Sequence, residues 1–350
     1  MQKTTSMKKI LYLLGIVILL SGCENWDKDF PDFAFQAVYF PFQTPVRTLM
    51  LGDEEIGDNS IDLEHAFSIG AAIGGMYENT KNREITVEFA PELALKIKDG
   101  SGKDLVLLPP AYYNATFDKI IIPSGSFFGK LRVNLTDAFF ADTLATGLRY
   151  VIPLRITNAK GDSILKGVPS SSVTTPDPRI AGHWLVPPKN YVLFGVKYIN
   201  PTHGVYLLRG KRENINNPSD KLVYRKSFVD DNDFTKLSTR SLTENYMSNV
   251  GGWANKESTS AKYSMKLKFD KDNKTVTVSR KNTTTVSVNG TGKFYSKADA
   301  EAESYNGKKH RTIYLDYTYI DGANTYHVND SLVFVDTDMK FETFAVQVTP

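Results

Sequence analysis

Trp253 is the side chain best placed to bind a ligand, because it stands in the glycine-flanked run Val-Gly-Gly-Trp at 250–253. Flanking glycines favour a loop and therefore an exposed indole ring. Sugars present flat apolar faces edged by hydroxyls, so an exposed aromatic ring with amide partners is suited to bind them. Tyr246, Asn249 and Asn255 are near in the chain and are predicted to supply further contacts. The alternative interpretation has Trp253 packed as a plug at one end of its domain.

Three more aromatic residues are weaker candidates for such a surface. Tyr112 and Tyr113 follow two prolines, and their alternative is ordinary packing within a strand. Trp184 begins a run of strands, and packing is its favoured interpretation.

Acidic and histidine residues do not form a recognisable catalytic pattern. The five histidines include no pair at the spacing of zinc ligands, and no nucleophile or metalloprotease motif occurs. Asp270 and Asp272 lie in one turn and offer oxygen ligands for weak calcium binding, although the glycine and final glutamate of a calcium loop are missing. A hairpin turn is the simpler interpretation. We therefore predict neither a cofactor nor an enzymatic activity.

Cys23 is the single cysteine of the 350 residues, and it closes an apolar stretch, ILYLLGIVILLSGC, that follows three lysines. Basic residues, an apolar core and small residues before a break are typical of a secretory signal. The eleven apolar residues 10–20 are too few for a transmembrane helix, which needs about 20. Leu-Ser-Gly-Cys resembles the lipobox of bacterial lipoproteins. The resemblance implies a signal peptide at 1–22, lipidation of Cys23, and an acidic tether at 23–34.

The net charge of +3 comes from the leader, which carries three lysines and no acidic residue. The remaining chain is neutral, and this argues against a nucleic-acid partner, which needs clustered basic residues. The charge is divided unevenly, with −6 over 23–181 and +6 over 182–350. This asymmetry supports two domains and permits an anionic ligand on the second.

Period-two alternation from residue 35 predicts an all-β protein. Short strands separated by turns predict an immunoglobulin-like β-sandwich over 35–167. The run GVPSSSVTTPDP then predicts a linker at 168–180, because its prolines and small polar residues offer little to pack.

Residues 181–350 read as a meander of strands that starts with the strand at 191–199. Sequential hairpins of this number predict an antiparallel barrel, with a second β-sandwich as the alternative. Gly182-His183-Trp184 resembles the Gly-x-Trp motif of lipocalins, in which the tryptophan closes the barrel floor.

The stretches VYFPFQTPVRTL, LPPAYY, IIIPSGSFFGKLRVNL and YVIPLRIT resemble an N-terminal domain of unknown function found in Bacteroidetes surface lipoproteins. The second half, including HWLVPPKNYVLFGVKYINPTHGVYLLRG, resembles the domain of unknown function that commonly follows it. The resemblance implies an outer-membrane lipoprotein facing the cell exterior and associated with SusC/SusD-type glycan importers. It implies a glycan ligand and names no binding residue.

We therefore expect a non-catalytic glycan-binding lipoprotein of a glycan utilisation system. Two alternatives remain at this point. One is an adhesin or pilin-like structural subunit, and the other is a glycoside hydrolase accessory protein or a glycosidase with an unfamiliar site.

Overall fold

The computed structural model describes residues 33–52, 57–247, 265–280 and 286–349. It confirms the predicted all-β class: an N-terminal β-sandwich is followed by a closed, eight-stranded antiparallel barrel. The second half is therefore a barrel and not a second sandwich.

The strands are numbered in chain order. They are β1 (Ala37–Tyr39), β2 (Pro45–Met50), β3 (Ala66–Gly74), β4 (Arg83–Phe89), β5 (Ile97–Lys98), β6 (Asp104–Leu107), β7 (Tyr113–Asn114), β8 (Lys119–Ile122), β9 (Phe128–Leu135), β10 (Tyr150–Asn158), β11 (Ser163–Ile164), β12 (Val168–Pro169), β13 (Trp184–Val186), β14 (Tyr191–Ile199), β15 (Gly204–Asn214), β16 (Lys221–Val223), β17 (Asp233–Thr239), β18 (Glu244–Met247), β19 (Met265–Phe269), β20 (Thr275–Arg280), β21 (Ser287–Tyr295), β22 (Ser304–Tyr305), β23 (Lys308–Lys309), β24 (Thr312–Asp321), β25 (Asn324–Asp336), β26 (Glu342–Thr343) and β27 (Gln347–Val348).

Within the described residues, helical structure is limited to short pieces. The α-helices are α1 (Ser60–Leu63) and α2 (Asp137–Ala141), and single 3₁₀ turns lie at Pro91–Ala94, Pro110–Tyr112, Thr143–Thr146, Ala181–His183 and Val229–Asp231. Over the described ranges, no helix has the length and apolar character needed to cross a bilayer.

The sandwich consists of two facing sheets. One has the order β11-β1-β3-β9-β7, and the other runs β26-β2-β14-β10-β6-β5-β27, with β4 joining β10 to β8. Strand β9 shows why they face each other: Leu131, Val133 and Leu135 point into the core, while the residues between them are exposed. Phe67 and Phe194 stack across the two sheets at 5.4 Å between ring centroids.

Strand β14 is where the sequence prediction was wrong. The strand at 191–199 was assigned to the barrel, but it pairs with β10 and β2 in the middle of the sandwich. Strand β14 lies in the sandwich because the side chains on both of its faces are buried there. Val192 and Phe194 enter the core between the sheets, while Tyr191 and Leu193 pack with Phe344 on the other side.

The barrel follows the order β15-β17-β18-β19-β20-β21-β24-β25 and closes because β25 also pairs with β15 along ten residue pairs. Strand β16 extends the barrel wall, because it pairs with residues 211–213 in the C-terminal half of β15. Large side chains fill its interior, among them Tyr206, Met247, Phe269 and Tyr317. Gly290 and Gly292 also face inward, where a β-carbon would collide with the neighbouring strand β24. The interior is thus a packed core.

Trp184 does not plug this barrel, and that prediction was also wrong. It lies on β13, which pairs only with β12 in a two-stranded ribbon. Its indole Nε1 donates to the carbonyl of Asp177 at 2.8 Å, so the ring is fixed outside the barrel.

The two halves are joined at one end of the barrel by a buried polar cluster. Asn200, at the end of β14, donates through Nδ2 to the carbonyls of Ser241 and Glu244 and to Asn245 Oδ1 at 2.9–3.2 Å. After the barrel, β26 returns to pair with β2, and β27 pairs with β5.

Candidate functional site

The outer face of the barrel carries two rows of polar and aromatic side chains, which strand register aligns across neighbouring strands. The first row is Thr275, Lys293, Tyr314 and Ser331, on β20, β21, β24 and β25. The second row is Thr277, Thr291, Asp316 and Asn329 on the same strands. Successive strand residues point to opposite faces, and the residues between these, such as Leu315, are in the barrel core.

These rows form the floor of a pocket of about 630 Å³, which we call the outer groove. Its lining includes Arg225, Thr275, Thr277, Thr291, Gly292, Lys293, Tyr295, Tyr314, Asp316 and Asn329. The volume is within the range typical of small-molecule sites.

Two tyrosines form the aromatic part of the outer groove. Tyr295 and Tyr314 are half-buried, with ring centroids 5.7 Å apart and planes at 68°. Tyr314 Oη donates to the carbonyl of Glu301 at 3.0 Å. Burial, and next the charge of Glu303, raise the pKa of Tyr314, so its hydroxyl stays protonated.

The chain between β21 and β24 packs beside the outer groove, and contacts with the barrel hold it in place. Tyr305 lies on His310 at 3.8 Å between ring centroids, and its hydroxyl donates to the carbonyl of Phe334. Glu303 in this segment accepts from Ser331 Oγ at 2.7 Å and pairs with Arg209 at 2.8 Å. The segment is therefore fixed to the barrel beside Tyr314.

Asp316 is held in position by its neighbours on β25. Asn329 Nδ2 donates to Asp316 Oδ2 at 3.0 Å, and His327 Nε2 lies 2.8 Å from Asp316 Oδ1. The result is a fixed array of carboxylate, amide and hydroxyl groups beside the two tyrosines. Such an array can bind the edge of a sugar through hydrogen bonds while an aromatic ring covers its apolar face.

Beneath the outer groove, Asp330 points into the barrel. Its carboxylate accepts hydrogen bonds from Tyr224 and, at 2.8 Å, from Tyr317. Burial raises its pKa to about 6, although the two tyrosine hydroxyls act in the opposite direction. Gly210 faces it, and the absence of a side chain there leaves room for this carboxylate.

A second pocket, of about 700 Å³, lies on the sandwich between β2 and β3. Phe42 and Phe341 meet there at 4.7 Å, and Phe128 is also exposed. Arg47 in this pocket is already paired with Asp62. The lining is mainly apolar, so it suits an apolar segment better than a sugar.

The residues predicted from sequence do not come together in the outer groove. Cys23, Asn249, Trp253 and Asn255 lie outside the described residues. Tyr246 is half-buried on β18, opposite Ser238 and Lys266 and two strands away from β20.

Tyr112 and Tyr113 are part of the sandwich packing. Tyr112 makes edge contacts with Phe139 and Tyr150 and donates to Asp142, while Tyr113 packs on Phe117. Neither ring lies in an exposed platform.

Asp270 closes its hairpin turn. Its carboxylate accepts from the backbone N–H of Lys274 and from Thr275 Oγ1, each at 2.7 Å, and the Thr275 bond is the main cause of its lowered pKa. Across the described parts of the chain, no cluster of three or more histidine, cysteine, aspartate or glutamate side chains could hold a metal, and this includes the turn with Asp272.

The residues of the outer groove were missed from the sequence. Their one signal is alternation on β24, where Tyr314, Asp316 and Thr318 separate the apolar residues. Alternation shows which side chains face outward, but it does not show which strands lie side by side.

Three family models match the chain. Residues 7–23 match the prokaryotic membrane lipoprotein lipid attachment site, residues 32–163 match a model described as an N-terminal domain, and residues 201–338 match a domain of unknown function, DUF5627. The lipobox and the two domains of unknown function are thereby confirmed. No curated protein matches the chain.

Two solved structures from Bacteroides are among those that match the chain. A Bacteroides ovatus protein of unknown function is 35% identical, with a TM-score of 0.81, and the alignment covers 91% of this chain and 100% of that one. A Bacteroides thetaiotaomicron structure described as an auxiliary nutrient binding protein is 14% identical over 85% of this chain and 95% of that one, with a TM-score of 0.38.

Proposed function

We propose a function from the premise that this chain belongs to the same family as the Bacteroides ovatus protein of unknown function: it is a lipid-anchored surface protein that binds glycans without cleaving them. The observation that carries the proposal is the outer groove, in which two tyrosine rings lie beside ordered carboxylate, amide and hydroxyl groups. The lipid attachment site supports a membrane-anchored protein, and we infer that its barrel faces extracellular ligands.

The position of the carboxylates supports binding over hydrolysis. A glycosidase needs two carboxyl groups about 5–9.5 Å apart on either side of the scissile bond. Asp316 and Asp330 both line the outer groove, but Asp330 is buried and its carboxylate accepts from Tyr224 and Tyr317, so of the two only Asp316 is exposed to a ligand. Glu303 is held by Arg209 and Ser331. These three carboxylates do not form a flanking pair.

A membrane-anchored glycan binder also agrees with the expectation, from the sequence, of an outer-membrane lipoprotein associated with a glycan importer. We infer that the protein works at the outer face of the outer membrane, next to a SusC/SusD-type importer, and delivers glycan to it. The acidic tether that follows Cys23 and the resemblance to importer-associated lipoproteins support this placement.

A glycan array followed by affinity gels, with the lipid-free chain from Glu24, tests the proposal. The paired change Tyr295→Ala and Tyr314→Ala should weaken binding by at least about tenfold, because the rings are the apolar platform. Tyr77→Ala is the matched control, since Tyr77 is an exposed tyrosine outside the groove. Absence of binding to every glycan would refute the function, and unchanged binding by the double variant would refute the site.

A strand-accepting structural subunit is the second candidate, and one edge of the sandwich favours it. The Ile73 N–H donates to the Phe127 carbonyl and the Leu135 N–H donates to the His65 carbonyl, so the backbone polar groups of the odd-numbered residues of β3 face β9. The backbone polar groups of Ser68 and Gly70 therefore face the opposite edge of β3, where β1 pairs only with residues 72–74. No described residue forms a backbone hydrogen bond with them at this edge. Stable polymers on mixing purified subunits would favour this candidate.

A further inference from the structure

The charges around the outer groove identify the class of glycan, and this step rests on the proposed function. Lys293 lies in the first row between Thr275 and Tyr314, and its side chain is exposed. Among the described residues it has no ion-pair partner. Its ammonium group is therefore available to a ligand that lies against Tyr314.

Arg225 supplies a second positive charge at the far side of the groove. Its side chain is 44% exposed, and one guanidinium nitrogen donates to Ser331 Oγ at 3.1 Å. Arg225 Nη1 is 3.8 Å from Glu303 Oε1, while Arg209 holds Glu303 Oε2 at 2.8 Å. Two guanidinium groups thus share the Glu303 carboxylate. The buried carboxylate of Asp330 also attracts Arg225, whose exposed part is open to a ligand.

The Asp316 carboxylate is held in the second row of the groove. Its two oxygens are held by His327 and Asn329, both on β25. Lys293 and Tyr314 lie in the first row, so an anionic group bound there lies beside the lysine and not on Asp316.

Lys293 and Ser331 are separated by two strand spacings, which is about 10 Å, with Tyr314 between them. Arg225 is anchored on Ser331, so the two cations lie on either side of an aromatic ring. Both cations can donate hydrogen bonds to neutral hydroxyls, but a carboxylate or sulfate group on the sugar adds charge attraction to these bonds.

We propose that the outer groove binds an anionic glycan, with a sugar ring on Tyr314 and its carboxylate or sulfate groups held by Lys293 and Arg225. Lysine and arginine both bind these anions through charge-assisted hydrogen bonds, and the tyrosines position the ring. The excess of positive charge in the second half of the chain agrees with this assignment.

Affinity measurements with three probes test the proposal: polygalacturonate carries only carboxylates, carrageenan carries only sulfates, and dextran is neutral. We expect at least tenfold tighter binding of one anionic probe than of dextran, and the probe that binds names the anion. Lys293→Ala and Arg225→Gln should each lower that affinity about tenfold, and the loss should be larger than for any neutral glycan. Lys293→Arg should retain most of the affinity.

Lys268→Ala is the control, because Lys268 is an exposed barrel lysine on β19, outside the groove. An equal loss in Lys268→Ala would show nonspecific attraction to a basic surface and overturn the proposal. Tight binding of neutral glycans alone, lost in the Tyr295→Ala and Tyr314→Ala variant, would overturn the anionic assignment and leave the proposed function intact. If no glycan binds at all, both fall.

Discussion

Tyr295 ends strand β21 and Tyr314 lies near the start of β24, and their rings meet at 5.7 Å on the outside of the barrel. Their contact is made across a strand pair, where cross-strand aromatic neighbours add to sheet stability. The same pair leaves ring surface facing the groove. Each tyrosine ring therefore contributes to sheet stability and also offers surface to a ligand. Variants can separate these two roles.

Tyr314→Phe should bind glycan like the wild type, while Tyr314→Ala should lose at least about tenfold in affinity. The phenylalanine keeps the ring and removes only the hydrogen bond to the Glu301 carbonyl. Calorimetric titration of both variants checks this. A similar loss in both would assign the effect to the lost hydrogen bond with the Glu301 carbonyl and not to the ring.

Gly290→Ala should lower the free energy of unfolding by about 2 kcal/mol, because a β-carbon at this site would meet Tyr317 and the backbone carbonyl of Asp316. Neither group can move without disturbing the barrel core. Gly182→Ala is the control, since its β-carbon meets nothing within 4 Å. Urea unfolding of the two variants gives the comparison, and equal stabilities would contradict the inward orientation of β21.

His203 should make the protein less stable in mild acid. Its Nδ1 accepts the backbone N–H of Thr239, and burial, followed by the charges of Lys236 and Arg311, lowers its pKa from 6.5 to about 4. The unfolded chain then binds a proton at higher pH than the folded protein. The contribution of His203 is fully present above pH 6.5, and up to about 3 kcal/mol is lost as the pH falls from 6.5 to 4.

His203→Asn tests this, because Asn Oδ1 can accept the same N–H and does not titrate. Its unfolding free energy, followed by urea titration between pH 4 and 7, should fall less than that of the wild type. A parallel fall in both proteins would exclude His203 as the cause.

Asp330 should act with the opposite sign. Its pKa in the folded protein is about 6, above the ordinary 3.8, so the folded protein takes up a proton before the unfolded chain does. Protonation of Asp330 therefore adds stability as the pH falls from about 6 to about 4, and partly masks the loss at His203. Asp330→Asn should be more stable than the wild type at pH 8 and should show the acid loss unmasked. Lower stability of this variant at pH 8 would show that the tyrosine hydrogen bonds outweigh the cost of burying the charge.

Cys23→Ser should release the protein from membranes, because acyl chains supply about 0.8 kcal/mol of membrane affinity for each buried methylene. Fractionation of cells checks the anchor, and protease treatment of intact cells checks whether the wild type faces outward. Retention of the serine variant in the membrane fraction would mean that another element anchors the chain.

The sequence was sufficient for the fold class and insufficient for the assembly of the site. Alternation on β20, β24 and β25 correctly predicted a barrel wall. Strand β14 has buried residues on both faces, so its pattern identified a central strand without showing which sheet contains it. The outer groove depends on the register of four strands, which no local pattern contains. Strand β17 is not evident in the sequence, because Phe234 is exposed while Thr235 is buried, and β18 has only four residues.

The return of β26 and β27 to the sandwich determines the order in which the two domains can complete their folding during synthesis. The barrel is placed between β14 and these two strands, so residues 342–348 complete sheet edges that begin at residues 45 and 97. During translation, the whole barrel is synthesised before β26 and β27, which belong to the sandwich. The sandwich therefore starts to fold first but is completed after the barrel, and deletion of residues 342–350 should destabilise the N-terminal domain more than the barrel.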